Sequence, residues 1–133
     1  PTRRSSDLAA ASEIGVRRSI RIQVDLAHEA TKHGADAVTL RPLVDAALES
    51  RALDLRGLML VPPIPDQAED SRPWFRQLRA LRDALVSDGV PADRLGDLSM
   101  GMSHDFEVAV EEGATMVRVG SAIFGTRPSP PGP

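Results

Sequence analysis

Four short apolar stretches, at residues 20–26, 53–61, 98–102 and 116–119, alternate with three segments patterned as helices, and this alternation constrains the fold of the chain more than any other feature. Strands separated by helices at this spacing argue parallel neighbours joined by crossovers. In the first stretch Ile20, Ile22, Val24 and Leu26 alternate with Arg21, Gln23 and Asp25, which gives a strand with one apolar and one polar face. The second is nearly continuous in apolar residues apart from Arg56 and Gly57, and Pro62-Pro63-Ile64-Pro65 stops it. A helix capped by Thr39 carries Leu43, Val44, Ala47 and Leu48 on one side. The longest helix opens at Ser71 with Pro73 just inside and runs through Trp74, Leu78, Leu81 and Leu85 to Gly89. Ser103 is expected to cap a third, with Asp105 in its first turn and Gly113 at its end. An alanine-rich helix is expected over 8–16. Four such strands make half of an eight-stranded barrel, with two unpaired edges and an open inner face. The fold class expected is α/β, a partial (β/α)8 TIM barrel. A small open sheet is the alternative, but it would need helices over the polar Gln23 and Asp25 face.

Composition removes several classes of function. The net charge is -3, and Lys32 is the one lysine among sixteen basic residues, so no nucleic-acid surface is expected. No apolar run approaches the roughly 20 residues that span a bilayer. Arg3 and Arg4 are not followed by an apolar stretch, so no signal peptide is expected. Without cysteine there is neither a thiolate nucleophile nor a disulfide framework. These features suit a cytoplasmic protein. Residues 1–8 are polar and aperiodic, resemble a translated sequencing-library adapter, and are expected to be a non-native leader. Residues 9–127 then form the domain, and the proline-rich tail 128–133 is expected to be disordered.

The chemistry concentrates in residues 98–125. Two strands there end in small hydroxyl or glycine residues, Ser103 after one and Gly120-Ser121 after the other. Barrels of this kind commonly hold phosphate on the loops after their last two strands and the start of a short extra helix. Gly120 permits close approach, while Ser103, Ser121 and nearby N–H groups can donate hydrogen bonds. Each residue alone would pass as a helix cap or a turn; paired at successive strand ends they favour phosphate binding. Arg118 stands between Val117 and Val119 on what reads as a buried strand, and a charge there is costly without a partner. The bland reading is an internal salt bridge to Asp25 or Asp97. The functional one is contact with the ring nitrogen of a pyridine cofactor. His28-Glu29-Ala30-Thr31-Lys32 lacks the second histidine of the metalloprotease pattern, so no metal site is expected, and His33 and His104 read as exposed. Met100 and Met102 read as core filling, and the row Arg72, Arg76, Arg79 and Arg82 as the solvated face of its helix.

Arg56-Gly57-Leu58-Met59, the run from Leu98 to Ser103 with Asp105, and Val117-Arg118-Val119-Gly120 followed by Ala122-Ile123-Phe124-Gly125 together resemble the pyridoxal-phosphate homeostasis protein family. Lys32 with Gly34 matches a further pattern of that family, and Asp25 stands where Asn is frequent. The resemblance implies a barrel of the alanine-racemase N-terminal-domain type, with these four strands as its fifth to eighth. It implies pyridoxal 5'-phosphate as cofactor, with Ser103, Gly120 and Ser121 on the phosphate and Arg118 at the pyridine nitrogen. The family binds the cofactor without an established turnover, in vitamin B6 homeostasis, so no catalytic residue is assigned. Its Schiff-base lysine lies on the first strand; no lysine precedes Ile20, and Lys32 matches a different position, so the covalent anchor is expected to be missing. The alternatives are a fragment of a PLP-dependent amino-acid racemase, for which the chain lacks a tyrosine, and another phosphate-binding TIM-barrel enzyme. Self-association through the open barrel edges is a further expectation.

Overall fold

A computed structural model describes residues 16–27, 34–120 and 123. The helix expected over 8–16 lies outside them except for Val16, as do His28, Lys32, His33, Ser121 and the tail 128–133. The elements are β1 (Arg18–Val24), α1 (Ala37–Glu49), β2 (Leu53–Leu60), a 3-10 turn (Ala68–Ser71), α2 (Arg72–Ser87), a second 3-10 turn (Ala92–Arg94), β3 (Asp97–Met102), α3 (Phe106–Glu111) and β4 (Met116–Arg118). All three ladders are parallel, and the strands lie in the order β1-β2-β3-β4.

Two rows of side chains explain the layering. Ile22, Leu58 and Leu98 stand side by side in register, and Val24 pairs with Leu60. These join one core with Leu40 and Val44 of α1, Phe75 and Leu78 of α2, and Val108 and Ala109 of α3. Burying each large apolar side chain contributes about 1.5–3 kcal/mol. The opposite face carries the rows Arg21-Gly57-Asp97 and Gln23-Met59-Ser99-Met116. Because residue 57 is glycine, the Arg21 guanidinium reaches across it to Asp97 Oδ2 at 2.7 Å. A Cβ at residue 57 would sit 1.9 Å from the Asp97 carbonyl oxygen, so β2 and β3 approach this closely only with glycine there.

Three local readings need correction. Asp36 rather than Thr39 caps α1: its carboxylate accepts the Val38 and Thr39 N–H groups at 3.0 and 2.9 Å, and the Thr39 hydroxyl also bonds to it. β4 is not buried: as the last strand of the sheet it leaves Met116 and Val117 exposed. Met102 is likewise exposed, unlike Met100. At the other edge, Ala35 bridges Val24 in parallel, so the end of β1 is covered by the chain that follows it.

Candidate functional site

The C-terminal ends of β3 and β4 are brought together by a break in their ladder. Ser99 pairs with Met116, but the next pair is Met102 with Arg118, so β3 carries one extra residue between them. Gly101 supplies it at φ +106°, a conformation that other residues adopt only under strain. A Cβ there would also press to 2.7 Å from Ala109 Cβ of α3. The consequence is that Met102 and Arg118 stand opposite each other, Ser103 follows directly on one strand, and Gly120 lies two residues beyond Arg118 on the other.

Ser103 is not the cap of α3. Asp105 occupies that position, yet its carboxylate makes no capping bond to the helix. Its Oδ1 accepts the Met102 N–H at 2.8 Å, while the Asp105 N–H donates to the Met102 carbonyl at 3.1 Å. Ser103 and His104 are therefore held in a closed turn. Oδ2 accepts the Ser71 hydroxyl at 2.6 Å, and both residues are buried. The geometry ties the start of α2 to the loop after β3. Ser71 had no local signature of this role; it reads only as the residue that opens a helix.

Arg118 Nη2 donates to the Leu60 carbonyl at 2.6 Å. The alternative reading, a salt bridge to Asp25 or Asp97, does not form; Asp97 is taken by Arg21. Arg118 Nε is buried and has no hydrogen-bond partner among the described residues. Burial pushes the Arg118 pKa down from its usual value, and the charge of Asp105 acts in the other direction. A buried N–H left without an acceptor costs about 1–3 kcal/mol. At Gly120 no atom of the described residues lies within 4 Å of where a Cβ would stand, which leaves room against the backbone. Ser121 lies outside the described residues, and of the four residues singled out in the sequence the structure places Ser103, Arg118 and Gly120 at one end of adjacent strands. The same loop borders a cleft lined by Glu69, Ser103, His104, Asp105, Glu107 and Glu111. Its four carboxylates suit it poorly to an anion.

The arginine row of α2 differs from expectation. Arg72 pairs with Glu112 at 2.7 Å, Glu69 at 2.7 Å and Glu111 at 2.8 Å. Arg76 reaches the same Glu112 at 3.0 Å, and Arg79 donates to its carbonyl at 3.1 Å. Glu112 is buried, and the hydrogen bonds from Arg72 and then Arg76 hold its carboxyl below the ordinary range. The bonds that Arg72 donates to Glu69, Glu111 and Glu112 in turn push its pKa up. These residues clamp α2 to the end of α3.

Comparison with known proteins gives consistent relatives. The family model described as alanine racemase, N-terminal domain, matches residues 4–128. A pyridoxal phosphate homeostasis protein of Aquifex aeolicus is 47% identical over 110 residues, which cover 83% of this chain and 47% of that protein. The solved structure of PipY from Synechococcus elongatus without PLP matches with a TM-score of 0.79 at 33% identity, covering 93% of this chain and 58% of that one. PipY with PLP bound gives 0.76 at 36% identity, with coverages of 89% and 54%. The chain spans about half the length of the curated relatives it matches. Among the described residues no helix is long and apolar enough to cross a membrane.

Proposed function

Because the chain belongs to the alanine racemase N-terminal domain family, whose fold is a TIM-barrel-like α/β arrangement, we propose that it binds pyridoxal 5'-phosphate in the manner of the pyridoxal phosphate homeostasis proteins. The four strands then correspond to the fifth to eighth of that barrel. Ser103, Gly120 and Ser121 hold the phosphate, and Arg118 meets the pyridine nitrogen. The observation that carries this reading is the buried, unpartnered Nε of Arg118. A pyridine nitrogen is an acceptor without a proton of its own, and it would satisfy that donor.

Free pyridoxal phosphate supplies an aldehyde that reacts with amines and a ring that can draw off electrons. This chain's residues bind and orient it. Arg118, its planar fork fixed by the Leu60 carbonyl, donates to the ring nitrogen rather than protonating it, which weakens the ring as an electron sink and suits storage better than turnover. Ser103 and the backbone beside Gly120 neutralise the phosphate through hydrogen bonds. The lysine that would bind the aldehyde covalently is the missing part: Lys32 is the sequence's single lysine, and by its family position it follows the fifth strand. The chain thus carries the phosphate and ring-nitrogen half of a cofactor site.

The test is a titration of the purified chain with pyridoxal phosphate followed by absorbance, then borohydride treatment and intact mass. Reversible binding without a mass adduct is expected. An adduct on Lys32 would show that this lysine is the anchor after all. Replacing Arg118 by alanine should weaken binding about tenfold, the worth of one hydrogen bond to a charged group. Unchanged affinity would remove Arg118 from the site.

A further inference from the structure

Buried carboxylates are costly unless every lone pair is used, and Asp105 is a buried carboxylate outside the set assigned to the cofactor. Its two oxygens are divided between two elements. One accepts the Met102 N–H at 2.8 Å and the other the Ser71 hydroxyl at 2.6 Å. Met102 returns the contact through its carbonyl, which accepts the Asp105 N–H at 3.1 Å. The loop closed by this exchange contains Ser103, and Met102 itself stands opposite Arg118 in the ladder.

We propose that Asp105, braced by Ser71, is the positioning residue of the site: it fixes the Ser103 loop relative to Arg118 so that phosphate and ring are met at one spacing, and it touches neither. This rests on the cofactor reading above. Ser71 extends the brace to the start of α2, where it is fully buried. A free loop of two residues would have to be ordered by the ligand, at a cost in conformational entropy that this brace removes in advance.

The experiment compares the affinity of the whole chain for pyridoxal phosphate with its affinity for pyridoxal, which lacks the phosphate. The ratio of the two reads the phosphate loop, and a general loss of stability does not move it. Asp105→Ala should lower the ratio about tenfold, as expected for one charge-assisted hydrogen bond. Asp105→Asn, which keeps an acceptor for the Met102 N–H, should recover most of it. Should Asp105→Ala not fold, Ser71→Ala provides the same reading, because it leaves the Met102 bond in place and removes only the brace; its ratio should also fall. Folded variants with the wild-type ratio would overturn the proposal while leaving the cofactor reading intact. A wild-type chain that binds both ligands equally would overturn both.

Discussion

Arg72 and Arg118 are both half-buried, and the molecule treats them in opposite ways. Arg72 faces three carboxylates, and its pKa is pushed up. Arg118 has one carbonyl and an unmade bond at Nε, and its pKa is pushed down. The first guanidinium makes four hydrogen bonds, two to Glu69 and one each to Glu111 and Glu112. The second retains a donor that the described residues do not use. Degree of satisfaction, rather than charge or burial, separates an arginine that holds helices together from one whose Nε the described residues leave unused.

The contrast can be broken most directly at Glu112. Glu112→Ala removes the shared partner of Arg72 and Arg76, and it should lower the melting temperature more than either Arg118→Ala or Arg41→Ala while leaving the discrimination between pyridoxal phosphate and pyridoxal unchanged. If that discrimination fell as well, the clamp and the site would be one unit. A smaller effect is expected from acid. The Glu112 and Glu69 carboxyls are held below their ordinary value of 4.5, so the stability they contribute is present above that value and is lost as pH falls through their folded pKa. Thermal melts from pH 7 to pH 3 should show it, and Glu112→Ala should flatten the acid limb. The smallest effect is expected at Arg41, whose pair with Asp45 is exposed on both sides. Arg41→Ala should change unfolding stability by no more than about 0.5 kcal/mol in denaturant melts, as surface pairs one helical turn apart do. A larger change there would mean that exposure does not order these three arginines.

Much of the fold is legible in the sequence because each element carries its own signal. Alternation in 20–26, the proline stop after β2 and the Ser71-Pro73 start of α2 each depend on neighbours along the chain. The placements that go astray depend on neighbours in space. Ser103 has the chemistry of a cap, but the bulge at Gly101 moves the start of α3 onward and Asp105 takes the place. The spacing of Arg72, Arg76 and Arg79 shows that they share a face, yet only the packed structure brings Glu111 and Glu112 beneath it. For the site, Ser103, Arg118 and Gly120 stand out as small or charged residues where strands end. Ser71 does not, because a serine at a helix start looks the same whether it faces water or a buried carboxylate.

The order of strands in space is their order along the chain. Among the described residues every ladder therefore forms between a strand and the next one along the chain, with Arg18 against Leu53 and Gly57 against Asp97. Such a sheet can be assembled vectorially as the polypeptide leaves the ribosome, each strand and helix docking on the one before. Among the described strands, the ends of β3 and β4 that carry Ser103 and Arg118 come last in that sequence.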